Sequence, residues 1–201
     1  MKSVTSITAI LFELGLLVVA MPLFIFWLSP EERILGEFNA YLLVQVMWGM
    51  IPLLLLGWLM THPQIKKWGP VQRIHEFIDQ SFLRILIDKS HPLTLLALSL
   101  AAGIGEEFLF RGVLQVKLGL IAASILFGLA HTITFTYFVF ATIMGLYLGW
   151  IFELTQSLWL VIMLHAGYDF WALLRLRTQK VSDSQKVSDS QKVSDSLWES
   201  V

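Results

Sequence analysis

Long apolar runs, separated by short polar segments, are the dominant pattern along the chain. A helix rises about 1.5 Å per residue and needs about 20 mostly apolar residues to cross the hydrocarbon core of a bilayer. Six runs reach or approach this length. The pattern therefore predicts an all-α fold, a polytopic transmembrane helical bundle, with spans at residues 7–28, 41–60, 93–116, 118–135, 137–151 and 157–174.

Two segments of the chain do not follow this pattern. Residues 61–92 mix basic residues with apolar residues at helical spacing, which predicts an amphipathic helix lying on the membrane surface. Residues 176–201 hold a six-residue polar repeat that has no apolar surface to bury, and this predicts disorder. The chain thus divides into an N-terminal two-helix hairpin, an interfacial segment, a helical bundle and a repeat tail, at residues 1–60, 61–92, 93–175 and 176–201.

Composition supports the membrane interpretation. Of the 201 residues, 56% are hydrophobic and 14% are charged, and the mean hydropathy is +0.71. An ordinary soluble domain carries about 25% charged residues, so a soluble fold is excluded as the leading interpretation. The net charge of −1 offers no basic face for nucleic acid, and the expected environment is the lipid bilayer. The absence of Cys excludes disulfides, thiolate nucleophiles and Cys-ligated metals.

Basic residues are unevenly distributed between alternate loops, which predicts the orientation in the membrane. The basic residues on one side of the predicted spans are Lys2, the five of segment 61–92, Arg175, Arg177 and Lys180. Arg33 and Lys117 fall on the other side. Because cytoplasmic loops carry the excess of Lys and Arg, we expect both termini of this integral membrane protein to be cytoplasmic.

Ionisable side chains inside the predicted spans are functional candidates. Such a group costs about 2.5–3.5 kcal/mol at mid-span on insertion scales, so it is rarely present without a function. Glu13 stands alone in the first span, and we interpret it as a snorkelling or helix-packing carboxylate near the cytoplasmic end. The others cluster in the third, fourth and sixth spans: Glu106, Glu107, Arg111, His131, His165 and Asp169.

The depths of these groups agree. The third and fourth spans predict a hairpin that turns near residues 117–119, and Glu106 and His131 lie equally far from this turn, about 18 Å by helical rise. From the next turn near residues 155–157, His165 lies about 15 Å deep and Asp169 about 20 Å deep. We therefore expect the four side chains to share one layer.

Helical spacing predicts which of these side chains pair. Glu107 and Arg111 are four residues apart with the acid first, which favours an ion pair and predicts that Glu107 does not face the layer. Glu106 lies about 100° round the helix and is free of that pair. His165 and Asp169 are also four residues apart and should face one cavity. Small residues that permit close helix approach lie nearby: Ala101, Ala102, Gly103, Gly105, Gly145 and Gly149.

This set of residues favours hydrolysis by activated water. A buried carboxylate without an Arg partner is suited to act as a base toward water, and Glu106 fits that role. His131 can hold the water and shuttle its proton, while His165 can donate to an oxyanion. Two alternatives stay open: the groups lock the bundle or form a proton pathway, or zinc is held by the candidate ligands Glu106, His131, His165 and Asp169.

Three short motifs carry a resemblance to a known family. Glu106-Glu107-Phe-Leu-Phe-Arg111 resembles EExxxR, the segment from Phe127 to His131 resembles FxxxH, and the segment from His165 to Asp169 resembles HxxxN/D. These are the three signatures of the CPBP family of intramembrane proteases, which includes CAAX prenyl endopeptidases and bacteriocin-processing relatives. The resemblance covers about residues 93–175.

The resemblance implies an intramembrane endopeptidase of the CAAX prenyl protease type, acting on membrane-associated peptide or protein substrates in a bacterial cell membrane. It implies that Glu106 and His131 activate water, that His165 and Asp169 stabilise the oxyanion, and that Glu107 and Arg111 hold the helix. The family is classed among metalloproteases, which keeps zinc as an alternative cofactor.

Asp169 departs from the family pattern, because that position is often Asn. An ionised Asp cannot donate to an oxyanion, so Asp169 would have to be protonated, orient His165 or bind a metal. The alternative function is a non-catalytic membrane partner, such as a bacteriocin-immunity or scaffold protein on the same fold, since a fold does not determine a function.

Overall fold

A computed structural model describes the backbone of residues 2–198 and the side chains of residues 7–81 and 83–179. Within residues 2–198 the structure is helical and contains no β-strand, which confirms the predicted all-α class. The helices are α1 (Lys2–Phe26), α2 (Ala40–Thr61), α3 (Pro63–Lys66), α4 (Gly69–Gln80), α5 (Phe82–Lys89), α6 (Pro92–Leu109), α7 (Val116–Ala130), α8 (Phe135–Thr155) and α9 (Leu158–Trp198), with a 3₁₀ turn at Pro30–Glu32 and a π-helical segment at Phe110–Gln115.

Four helices in the described part of the chain are long and apolar enough to cross a membrane: Ile7–Phe26, Ala40–Thr61, Pro92–Ala130 and Phe135–Thr155. The membrane-protein prediction is therefore supported, although the count differs from the six predicted spans. The third of these helices has 39 residues and contains two predicted spans, because α6, the π-helical segment and α7 follow one another directly. The sixth predicted span lies in α9, where polar residues interrupt the apolar run.

The long third helix folds back on itself at Gly119. This residue has φ +82° and ψ 167°, a conformation that glycine adopts without the steric cost met by other residues. The rings of Phe110 and Phe127, on either side of Gly119, have centroids 5.0 Å apart. The chain therefore reverses here, as the predicted turn near residues 117–119 requires.

The end of α7 corrects a predicted boundary. The fourth span was expected to run to residue 135, but α7 ends at Ala130 and His131 lies at its C-cap with φ −105° and ψ 19°. Thr134 then begins α8, because its side chain accepts a hydrogen bond from the backbone N–H of Tyr137 at 3.1 Å. Because the residues around it are apolar, the break between α7 and α8 is not visible in the sequence pattern. His131 is thus at a helix end, where its ring is not restricted to one helix face.

Alternate loops meet at opposite ends of the bundle. At one end, Lys117 pairs with Glu32 at 2.8 Å, and the backbone N–H of Leu158 donates to the carbonyl of Leu35 at 3.1 Å. The hydrogen bonds from Lys117 hold the pKa of the Glu32 carboxyl below its usual value. At the other end, Arg177 donates to the carbonyl of Ser90 at 2.9 Å.

The interfacial segment forms three short helices, α3 to α5, where a single helix was expected. Pro63 begins α3 and Pro70 occupies the first turn of α4, positions where proline starts a helix. Ser81 separates α4 from α5. The amphipathic pattern is nevertheless present in α4, whose buried residues follow one helix face: Val71, Ile74, His75 and Ile78.

The helix α9 continues through the repeat segment to Trp198, which differs from the disorder that we predicted for residues 176–201. The repeat contains neither Gly nor Pro, the residues that most often end a helix, so its sequence does not interrupt the helix that precedes it. The side chains from Lys180 onward lie outside the described residues.

Two glycines bring α6 close to its neighbours. A Cβ at Gly103 would lie 3.0 Å from the carbonyl oxygen of Ile162 and 2.9 Å from the Cβ of Ala166, both in α9. A Cβ at Gly105 would collide with the backbone carbonyl oxygen of Glu13 in α1. The small residues before Glu106 therefore permit close approach on two sides, as predicted.

Candidate active site

The four predicted catalytic side chains lie together in the structure. The Oε2 atom of Glu106 in α6 is 3.3 Å from Nε2 of His131, at the end of α7, and 3.9 Å from Nε2 of His165 in α9. Oδ2 of Asp169 is 3.5 Å from the same His165 nitrogen. The prediction that one layer holds these residues is therefore confirmed by the geometry.

The hairpin accounts for the meeting of Glu106 and His131. This pair and the pair Phe110 and Phe127 are both centred between residues 118 and 119, and both pairs are in contact. Equal distances from a turn thus place residues at equal depth in the two arms. Asp169 follows His165 by one helical turn, so α9 presents both side chains to the same place.

The predicted ion pair of Glu107 and Arg111 is present. Nη1 of Arg111 lies 2.7 Å from Oε1 of Glu107, and the two side chains are 1% and 0% exposed. Nη2 of Arg111 donates to the carbonyl of Gly145 in α8 at 2.9 Å, and the guanidinium carbon lies 4.6 Å from the ring centroid of Phe127. The charge of Arg111 is therefore surrounded by a carboxylate, a carbonyl and an aromatic face.

Glu107 also faces the layer, which contradicts the prediction that its pair with Arg111 turns it away. Nδ1 of His165 donates to Oε1 of Glu107 at 2.6 Å. Helical spacing shows only contacts along α6, whereas this contact comes from α9, which packs closely at Gly103. Because a carboxylate is only an acceptor, Nδ1 of His165 carries a proton and its Nε2 points toward Glu106 and Asp169.

Phe127, the first residue of the FxxxH motif, orients His131. Nδ1 of His131 donates to the carbonyl of Phe127 at 2.8 Å, and the two rings stack with centroids 4.5 Å apart. The Phe127 ring also meets His165 edge-on at 5.8 Å. Both imidazoles thus bond through Nδ1 to a protein oxygen and direct Nε2 toward Glu106.

The carboxylate of Glu106 has an unpaired oxygen. Glu106 is 7% exposed, and its Oε2 is buried without a hydrogen-bond partner among the described residues. The neighbouring imidazole nitrogens are close, but neither makes a hydrogen bond to this atom. Native proteins leave few buried polar atoms unpaired, so such an oxygen beside a cavity indicates where a water molecule or a substrate atom binds.

A cavity of about 280 Å³ opens beside this layer. Glu106, His131 and Asp169 line one part of it, and apolar residues from α2, α4, α6 and α9 line most of the rest. Glu13 also lines this cavity, which corrects the prediction that Glu13 stands alone. The sequence gives no signal for this contact, because no spacing relates α1 to α6; only the close approach at Gly105 brings them together.

The cavity extends to the interfacial helices, where His75 and Ile74 of α4 line it. Nε2 of His75 hydrogen-bonds to the carbonyl of Met60 at 3.2 Å. Burial lowers the pKa of the His75 ring, outweighing the opposing effects of this hydrogen bond and of Asp79.

The candidate metal ligands do not fit a metal site. Among the described residues, no group of three or more His, Asp or Glu side chains is arranged to hold a metal ion.

Comparisons with known proteins agree with the three motifs. Residues 88–171 match the family described as "Type II CAAX prenyl endopeptidase Rce1-like". The chain is 29% identical over 123 residues to uncharacterized protein YpbD of Bacillus subtilis (strain 168). The aligned region covers 58% of this chain and 62% of the length of YpbD. No solved structure matches the chain.

The family match spans α6, α7, α8 and the first part of α9, and so includes all the motif residues. Residues before 88, among them Glu13, α3, α4 and most of α5, lie outside it. At the level of the family, the match supports a CAAX-protease-like intramembrane endopeptidase. The match over residues 88–171 agrees with the resemblance seen in the motifs and is consistent with the CPBP family.

Proposed function

We propose that the protein is an intramembrane endopeptidase that hydrolyses peptide bonds of membrane-associated substrates with water activated by Glu106. The observation that carries this proposal is the buried, unpaired Oε2 of Glu106, which lies between two imidazole Nε2 atoms and beside a cavity. A water molecule donating to this oxygen would satisfy it and stand within reach of both rings.

In the proposed reaction, Glu106 accepts a proton from water while the water oxygen attacks the carbonyl carbon of the scissile bond. His131 holds this water and relays its proton, since its Nε2 is 3.3 Å from the carboxylate. When the tetrahedral intermediate collapses, the carbon–nitrogen bond breaks and the proton passes to the leaving amine. Glu106 and His131 thus pass the proton taken from water to the leaving amine, and Glu106 is again ready to act as a base.

His165 is the proposed oxyanion donor. To donate from Nε2 it must be doubly protonated, and Glu107 accepts the hydrogen bond that Nδ1–H donates at 2.6 Å. Asp169, with Oδ2 3.5 Å from Nε2, is four residues later on α9 and orients the ring. This role suits an ionised Asp, which cannot itself donate to an oxyanion. It also accounts for Asp where the family often has Asn.

We further propose that the protein resides in a bacterial cell membrane with both termini in the cytoplasm. The distribution of Lys and Arg between alternate loops supports the orientation. The contacts of Lys117 with Glu32 and of Leu158 with Leu35 support the assignment of these loops to one side.

The test is Glu106→Gln, which keeps the volume of the side chain and removes the base. With chymotryptic peptides of a bacterial membrane proteome as substrates in detergent, hydrolysis should fall by about 10²- to 10⁴-fold, the usual contribution of a general base. The melting temperature should change little. Glu76→Gln is the matched control, because Glu76 is an exposed carboxylate on α4 that accepts a hydrogen bond from Gln72.

Three outcomes would change the proposal. A Glu106→Gln protein that cuts near the wild-type rate would remove Glu106 from the chemistry. A folded wild-type protein that cuts none of the peptides would favour a non-catalytic membrane partner on the same fold. Inhibition of the wild type by a chelator, reversed by zinc, would replace carboxylate-activated water with metal-bound water.

A further inference from the structure

Glu13 of α1 places a third carboxylate in the cavity that holds the candidate catalytic residues. Glu106 and Asp169 are the other two, and all three residues line the same cavity. No hydrogen bond or ion pair of the Glu13 carboxylate is present among the described residues. We therefore expect the Glu13 carboxylate to interact with a group of the substrate that enters the cavity.

The position of Glu13 is fixed by backbone packing. Gly105 immediately precedes Glu106, and its missing side chain leaves room for the carbonyl oxygen of Glu13. The backbone of Glu13 thus rests against α6 one residue from the proposed base. A carboxylate held in this way is a built feature of the cavity and differs from a side chain that reaches out to solvent.

In the described part of the chain, the cavity offers the Glu13 carboxylate no Lys or Arg partner, and the imidazoles of His131 and His165 lie against Glu106 and Asp169. Among the described residues that line it, none is Lys or Arg, and most of the rest are apolar. Arg111 is enclosed by Glu107, Gly145 and Phe127 and does not line the cavity. Carboxylates brought together in an apolar space repel one another, and a cation between them relieves that repulsion.

We infer that Glu13 is a specificity-determining residue that selects substrates carrying a positively charged group, an ammonium or a guanidinium, close to the scissile bond. This inference rests on the proposed function. The unpaired Oε2 of Glu106, itself more than nine-tenths buried, points independently to a ligand in this space. The same charge arrangement disfavours a substrate that brings a free carboxylate to Glu13.

The test varies the charge of the substrate near the scissile bond and the charge of residue 13 in the protein. Wild-type protein cuts chymotryptic peptides of a bacterial membrane proteome, and cuts that disappear in Glu106→Gln are identified by mass spectrometry. Lys, Arg or a free α-amine should be enriched by at least about fivefold within three residues of these cuts. One well-cut peptide is then made in three forms, with Lys, Gln or Glu at the enriched position, and an N-acetylated form separates the α-amine from a side-chain cation.

Glu13→Gln should reduce the preference for Lys over Gln to less than about twofold, while Glu76→Gln keeps the wild-type preference. Glu13→Lys should reverse the preference, so that the Glu peptide is cut faster than the Lys peptide. This reversal is the stronger evidence, because an unfolded variant cannot gain a preference.

The possible failures are distinguishable. If no Glu106-dependent cut occurs with any peptide, the proposed function fails and the inference fails with it. If Glu106-dependent cuts occur without enrichment of a cation, the proposed function stands and the inference is wrong. The inference is also overturned if the wild-type preference persists unchanged in folded Glu13→Gln protein.

Discussion

Two buried arginines, one in the candidate active site and one in the interfacial helices, have similar surroundings. Arg111 pairs with Glu107 four residues before it and donates to the carbonyl of Gly145 in another helix. Arg84 in α5 lies 3.4 Å from Asp88, four residues after it, and donates to the carbonyl of Leu176 at 3.0 Å. Both guanidinium groups thus join a carboxylate of their own helix to the backbone of another.

The difference lies in the carboxylates. Glu107 is 0% exposed and also accepts from His165, whereas the Asp88 side chain is 25% exposed and Arg84 has a second carboxylate, Asp79, at 3.7 Å. Water can therefore replace part of the hydrogen bonding that Asp88 provides to Arg84. Water does not reach Arg111 in the same way, because the Glu107 side chain is fully buried. The pairing at the interface is thus partly exposed to water, whereas the pairing in the layer is buried and also holds His165, the proposed oxyanion donor.

The largest expected effect is that of Glu107→Ala. Removing this carboxylate leaves the buried charge of Arg111 unpaired, which should lower the free energy of unfolding by about 3–5 kcal/mol. Asp88→Ala is the matched variant, and because its partner keeps Asp79 and Leu176, the loss should be about 1 kcal/mol or less. Thermal unfolding in detergent measures both.

Glu107→Gln extends this comparison to the chemistry. The amide keeps the shape but can no longer serve as a charged acceptor for His165, so cleavage should fall even in preparations that remain folded. Asp88→Gln lies away from the layer and should leave cleavage unchanged. Equal losses of stability for the two alanine variants would show that burial of the carboxylate does not distinguish the two arginines.

Gly105→Ala tests whether the layer depends on the contact between α6 and α1. The added Cβ meets the backbone of Glu13 and not a flexible side chain, so we expect a loss of about 1–3 kcal/mol, typical of overpacking. Gly15→Ala is the control on α1, because a Cβ there meets nothing within 4 Å and should be neutral or stabilising by up to about 1 kcal/mol. Similar melting temperatures for both variants would contradict the close packing of α1.

The layer itself could be predicted from the sequence because it depends on distances along helices. Glu106 and His131 are equidistant from a turn, and His165 and Asp169 are one helical turn apart, so helical rise alone placed them at one depth. The Glu107–Arg111 pair follows from the same local rule. These relations survive moderate errors in helix ends, as the early end of α7 at Ala130 demonstrates.

Contacts between helices distant in sequence could not be predicted in this way. The hydrogen bond from His165 to Glu107 and the presence of Glu13 in the cavity both depend on which helices pack together and on how they are rotated. The small residues Gly103 and Gly105 indicated close approach but not the partner helix. The three short helices of segment 61–92 were likewise missed, since periodicity outweighed the proline and serine signals that divide it.

The smallest expected effect concerns His75, the buried histidine of the interfacial helices. Unlike His165, it hydrogen-bonds to a backbone carbonyl. Burial lowers the pKa of the His75 ring from the usual 6.5. Lys66 also lowers this pKa, whereas Asp79 raises it. Below pH 6.5 the unfolded chain therefore binds a proton that the folded protein resists. The stability that the neutral ring provides is complete above that pH and is lost as the pH falls toward the lower folded-state value.

His75→Gln, which can still donate to Met60, should remove this part of the acid sensitivity between about pH 7 and pH 5, whereas His91→Gln, at an exposed ring, should not. Melting temperatures of the three proteins across this range measure the effect, and parallel profiles for wild type and His75→Gln would show that burial of this ring is not coupled to folding.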